Sequence, residues 1–206
     1  AFDQTAPGVF PVITANFDFR ITSAGDPADG FAFMLIPTST YGTTGVGVNP
    51  VGGVEEPNFA GVFAIGFDVY PHGTQNDISA HWNGAEIVNV TIPRNTVELV
   101  SGAFLHLQAT LVYIPGGAQL TIVVTPNINT TPGAPYTVMD KLFIPNMPQF
   151  PCRAQLAGRT GGLDMFVDLD NIDVQFGFAG GMVPIEEFNL SSAIALIAFS
   201  LPTAAY

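Results

Sequence analysis

Positive charge is scarce in this 206-residue chain. Lys and Arg number five (Arg20, Arg94, Lys141, Arg153 and Arg159) against seventeen Asp and Glu, a formal net charge of −12. So few cations cannot be assembled into a basic patch, which excludes a nucleic-acid partner. Most carboxylates also have no Arg or Lys to pair with, so they must be solvated, capped by backbone N–H groups or bound to cations. The single cysteine, Cys152, excludes an intrachain disulfide and leaves the compartment open. The apolar stretch from Ala193 to Leu201 is too short for a membrane span. Catalytic signatures are missing too: there is no G-x-S-x-G, H-E-x-x-H or phosphate loop, and no recognisable histidine motif accompanies Cys152. No signal peptide remains, and Ala1 in place of methionine reads as a processed or excised chain.

Present in abundance are 22 Gly and 17 Pro, along with Phe, Val, Ile and Thr, the mixture of short strands joined by turns. The length suits one domain and a sizeable core. "VITANFDFRI" (12–21) alternates as a half-buried strand, whereas "FAFMLI" (31–36) is a continuous apolar run, suited to a strand covered on both faces. Further strands are expected at 59–70, 77–83, 86–92, 103–113, 119–125, 141–144, 153–157 and 165–178. "IPGGA" marks a hairpin between 103–113 and 119–125. No segment before residue 185 has helical periodicity, so the pattern is an antiparallel all-β sandwich. Asn89-Val-Thr91, Asn129-Thr-Thr131 and Asn189-Leu-Ser191 match the N-glycosylation tripeptide. Low charge and an apolar composition point to surface buried by self-association.

Four motifs in order carry a resemblance. "Ala28-Asp29-Gly30-Phe31-Ala32-Phe33" resembles the A-D-G-[IL]-A-F signature of legume lectins and their L-type relatives. A Gly-rich loop, "YGTTGVGVN", follows it. "FAIGFDVYP" is similar to the family's metal strand, and "LAGRTGGLDMFVDLDNIDVQF" (156–176) to its closing loop and last strand. The resemblance covers about residues 14–178 and implies a concanavalin A-like jelly roll over residues 1–181. The final 182–206 form an apolar tail beyond it.

The resemblance also implies sites. The family's calcium ligands fall on Asp68, the Tyr70 carbonyl, His72 (in place of an Asn) and Asp77, while its transition-metal Glu falls on Gly66, which implies no second metal. Counted back from "ISAHWNG", Asp77 instead takes the place of the family's metal-binding His, with a shortened loop between. The competing reading is that Asp68 and Asp77 cap turns and accept hydrogen bonds from His72, His81 or loop N–H groups. The family's sugar pocket maps onto Asp29, with Gly45 or Gly47 for a loop N–H, His72 for an Asn, and Arg159 and Gly161 in the closing loop; the Ala28–Asp29 bond is then expected to be cis. Tyr70 or Trp82 offers a ring face to a sugar, although Trp82 on an alternating strand equally suits the core.

Asp168 and Asp170, beside Asn171, read as turn chemistry. With Asp173 they alternate only in part, without a Glu, so they do not form the paired acids of a glycoside hydrolase. The expectation is a non-enzymatic, extracellular or cell-surface module that binds glycans, with Ca²⁺ as the candidate cofactor. The alternative is a structural subunit of an extracellular filament or surface assembly. In that case the tail would act as a complementing strand, paired in its own sandwich or in a neighbour's, or else lie on the surface as a short helix.

Overall fold

The computed structural model describes residues 1–48, 55–160 and 162–177. Ten strands run in chain order: β1 Val12–Thr22, β2 Gly30–Pro37, β3 Phe63–Asp68, β4 Asp77–Trp82, β5 Ala85–Thr91, β6 Leu105–Ile114, β7 Gly117–Thr125, β8 Tyr136–Pro145, β9 Cys152–Arg159 and β10 Phe166–Gly177. Among the described residues a single short helix, α1 (Thr38–Tyr41), follows β2. The strands form two five-stranded sheets, ordered β10-β1-β6-β7-β8 and β5-β4-β3-β2-β9, with every neighbouring pair antiparallel. Among the described residues no helix is long and apolar enough to cross a membrane. The tail 182–206, with its cis, trans and helical alternatives, lies outside the described residues, as does Gly161.

Period-two alternation explains how the sheets close on one another. Ile13, Phe17, Phe19 and Ile21 of β1 point inward to meet Phe31 and Phe33 of β2 and Phe63, Ile65 and Phe67 of β3. Phe31 and Phe67, direct partners in the β2–β3 ladder, stack with centroids 4.2 Å apart. Strand β2 is buried along its whole length because its other face is covered too. Ala32, Met34 and Ile36 pack with Val48, Val62 and Ala64, flanked by Tyr41 and Phe59. The continuous apolar run 31–36 is thus the signature of a central strand with loops laid over its outer face.

The differences from the expected strands have local causes. The run 59–70 begins as a turn: Gly61 adopts φ +71° and the Val62 N–H bonds the Phe59 carbonyl, so β3 starts at Phe63. Strand β8 begins five residues before the expected 141, and its pairing with β7 slips at Leu120/Ile122, with Lys141 at φ 50°. A bulge of this kind breaks alternation and hides a strand from a period-two reading. The turn at Pro115-Gly116, with Gly116 at φ +85°, joins β6 to β7 as expected from its Pro-Gly. Asn83-Gly84, both at positive φ, closes β4 onto β5 in the manner of a type I′ hairpin.

Candidate functional site

One row of the second sheet organises the site. Asp77, Asp68, Gly30 and Arg159 are successive ladder partners across β4, β3, β2 and β9. Phe67 points into the core, so Asp68 belongs to the opposite, outer face with Ala64 and Gly66. Asp29 stands just before β2, after a cis Ala28–Asp29 bond. Its N–H donates to the Arg159 carbonyl at 2.9 Å, and its own carbonyl accepts the Val69 N–H at 3.1 Å. The corner is therefore pinned from both neighbouring strands.

Residues 55–58 lie over this outer face. A Cβ at Gly66 would come within 2.3 Å of the Glu55 carbonyl oxygen and 2.5 Å of Ser79 Oγ, and one at Gly30 within 2.9 Å of Glu55 Cβ. Glycine at both positions lets the segment settle onto the sheet. His81 anchors its far end: Nδ1 lies 2.9 Å from Asn58 Oδ1, and Nε2 lies 2.7 Å from Ser79 Oγ. Burial pushes the His81 pKa down to about 4, so the ring is neutral there.

The charges at the corner are unequal. Arg159 Nη1 donates to Glu55 Oε1 at 2.7 Å, and its Nε lies 3.6 Å from Asp29 Oδ2. Asp29 Oδ2, at ion-pair distance from Arg159, and the second Glu55 oxygen, Oε2, are both buried without a hydrogen-bond partner. Next to them, Asp68 Oδ1 accepts the Tyr70 N–H at 2.9 Å. Burial raises the Asp68 pKa to about 6; that one hydrogen bond opposes the rise, and the charges of Glu56, Asp77 and Glu55 add to it. Glu55 and Glu56 were not singled out in the sequence. Their signal was an adjacent acidic pair, separated from β3 by six residues, in a chain poor in charge.

The structure separates several residues that the sequence grouped. His72 Nε2 faces Glu98 Oε1 at 3.9 Å, and the His72 carbonyl accepts from the Arg94 guanidinium, which also grips Glu98. Asp77 accepts the Asn76 N–H and the Asn89 side-chain amide, both at 3.3 Å. Asp68 and Asp77 thus take their hydrogen bonds from N–H donors, and neither takes one from His72 or His81. Tyr70 is exposed and precedes a cis proline, Pro71. Gly45 already donates its N–H to Asp3 Oδ1. A Cβ at Gly47 would meet Gln155 Oε1 at 1.9 Å. Gln155 lies four residues from Arg159 along β9, about 13 Å at the rise of a strand. Both glycines therefore belong to packing at the far end of β2. Trp82 is half-buried against the core and stacks on Phe150 at 5.5 Å.

The calcium set does not fit its ion. Ca²⁺ takes six to eight oxygen ligands, yet Asp77 has both oxygens engaged and His72 turns to Glu98. Among the described residues no three His, Cys, Asp or Glu side chains form a metal-holding group. The closing-strand acids are occupied as well. Asp168 pairs with Arg20 at 2.6 Å, Asp170 accepts the Asn171 N–H at 2.8 Å and Asp173 accepts the Gln175 amide at 2.7 Å.

Two antiparallel sheets wrapped around one aromatic core, with an acidic corner between the second and third strands, define a concanavalin A-like jelly roll, the L-type lectin fold. Solved structures agree. The chain is similar to the exoplasmic/lumenal domain of VIP36 in its Ca²⁺- and Man3GlcNAc-bound form, with TM-score 0.57 and 18% identity over 87% of this chain and 76% of that one. It is also similar to arcelin-5, a lectin-like defense protein from Phaseolus vulgaris (TM-score 0.51, 15% identity, 86% and 75% covered). A third similar structure is a Bauhinia forficata lectin in complex with GalNAc (0.51, 18%, 80% and 73%). No protein-family model and no curated protein matches the sequence.

Proposed function

We propose that this chain binds carbohydrate without turning it over, at the corner formed by Asp29, Arg159 and the end of β3. The observation that carries this reading is the pinned Asp29. Its backbone is bonded to both flanking strands, its Oδ2 is buried toward Arg159, and its side chain keeps 18% exposure. A carboxylate carried on a pinned backbone with one oxygen left outward suits a shallow site that accepts paired sugar hydroxyls. Solved structures of this fold, VIP36 with Man3GlcNAc and a lectin with GalNAc, support the ligand class. An extracellular, lumenal or cell-surface location follows from such a ligand. The occupied acids of β10 support binding rather than hydrolysis, and the reading takes no step through calcium.

The test is a glycan array on wild type and Asp29→Ala. Binding by the wild type that is lost in the variant, with an unchanged melt, supports the reading. Equal binding by both, or silence from the wild type, overturns it.

Self-association is a second reading, favoured by one observation: Phe166, Leu169 and Ile172 are exposed along β10, which is an edge strand among the described residues. An open apolar edge is a natural pairing surface. Sedimentation velocity at rising concentration checks it, and a single monomeric species throughout argues against it.

A further inference from the structure

The corner that holds Asp29 collects acidic groups and has one counter-charge. Asp29 and Glu55 flank Arg159, and Asp68 follows across Gly30 in the same row. Glu56 and Asp77 lie close enough to raise the Asp68 pKa. The chain's other arginines are engaged elsewhere: Arg20 with Asp168, Arg94 with Glu98, and Arg153 with the carbonyls of Phe2, Tyr41, Gly45 and Val46. Bringing Asp29 and Glu55 together out of water is costly unless a cation sits between them. A planar guanidinium can reach two carboxylates at once, whereas an ammonium is a point charge.

We infer that Arg159 occupies the place of a bound cation: its side chain bridges Asp29 and Glu55 and holds the corner in shape without a divalent metal. Arg159 is a positioning residue in this account. Its charge lies 3.6 Å from Asp29 Oδ2, balancing that buried oxygen and leaving the outward one for a ligand. The inference rests on the proposed carbohydrate site only for the ligand; the cation replacement stands on the ion triad and on the poor fit of Asp68, Tyr70, His72 and Asp77 to Ca²⁺. Its consequence is specific. A metal-organised corner fails in chelator, whereas an Arg-organised corner ignores chelator and fails when the guanidinium is removed. Removing it also leaves Asp29, Glu55 and Asp68 as unbalanced oxygen ligands, which a hard cation then stabilises.

The experiment compares wild type, Arg159→Gln and Arg159→Lys by thermal melts in EDTA and in calcium chloride, and by glycan array in both conditions. The expected wild type has the same midpoint and the same array signal with chelator and with calcium. Arg159→Gln is expected to melt lower in EDTA, to regain midpoint as calcium is added, and to bind the array glycans about tenfold more weakly or worse. Arg159→Lys should fall between the two, with a smaller calcium response. A calcium-induced rise in the wild-type midpoint overturns the inference, and so does an Arg159→Gln midpoint that ignores calcium. If Arg159→Gln does not fold, the lysine variant carries the same comparison. The melts decide cation replacement even when the array is silent, whereas a silent array with the expected melts removes only the carbohydrate reading.

Discussion

Asp68 and Asp77 are direct partners in the β3–β4 ladder, and each is held by N–H donors: Tyr70 for the first, Asn76 and the Asn89 amide for the second. Burial makes Asp68 hold its proton to a higher pH, and the charges of Glu56 and of the opposed Asp77 add to that, since like charges facing each other in a sheet are destabilising. The Asp68 pKa is raised from 3.8 to about 6. The folded state therefore binds that proton more tightly than the unfolded chain. The stability this contributes is fully present below the unfolded pKa and is lost as pH rises through about 6. Asp68→Asn keeps an oxygen for the Tyr70 N–H and removes the charge. It should stabilise the protein at pH 8 by about 1–3 kcal/mol, with almost no gain below pH 4. Urea unfolding of both proteins across pH 4–8 measures the difference.

His81 has the opposite sign. Its folded pKa is lowered from 6.5 to about 4, so stability is full above 6.5 and falls as pH drops toward 4. Between pH 4 and 6 the two slopes oppose each other, each at most about 1.4 kcal/mol per pH unit. In the Asp68→Asn variant the His81 slope is left unopposed. That variant should lose stability on acidification through this window more steeply than wild type; parallel pH profiles of the two proteins would contradict the assignment.

Gly66 tests the seating of residues 55–58. Gly66→Ala places a methyl against the Glu55 carbonyl and Ser79 Oγ, both within 2.5 Å. Overpacking of this kind costs about 1–3 kcal/mol. It should also displace Glu55 from Arg159 and weaken any ligand bound at Asp29. Gly25, with nothing within 4 Å of an added Cβ, is the control. Chemical denaturation of the two alanine variants should show a loss for Gly66 and near neutrality for Gly25.

The acids of β10 should be dispensable for binding. Arg20 and Asp168 keep 37% and 47% side-chain exposure, so their pair contributes at most about 1 kcal/mol. Asp168→Asn and Asp170→Asn are expected to leave array binding unchanged and stability within that margin. A loss of glycan binding in either variant would move the site to the outer face of the other sheet.

Much of the fold was legible because its signals are local. Alternation in 12–21, the double-sided apolar run 31–36, and Pro-Gly in the β6–β7 turn each report on a few adjacent residues. The cis Ala28–Asp29 bond was legible for the same reason, since it sits inside a six-residue motif. Gly45 and Gly47 were drawn toward Asp29 by their order in the chain, but order does not say which end of a buried strand a loop will cover. Their place was decided by packing against Arg153 and Gln155, more than a hundred residues later.

By itself the sequence determined an all-β sandwich, the Pro-Gly hairpin turn between β6 and β7, the shortage of cations and the presence of a carboxylate in the buried strand β3. All of these follow from period, composition and turn chemistry. Only the tertiary structure decided what surrounds that carboxylate. Glu55 reaches the corner because Gly66 leaves room for its carbonyl and Gly30 for its Cβ. Arg159 reaches it because β9 pairs with β2 in the register that sets Arg159 opposite Gly30. Coulomb interactions depend on distance through space, and nothing in the order of residues 29, 55, 68 and 159 states that their charges meet at one corner.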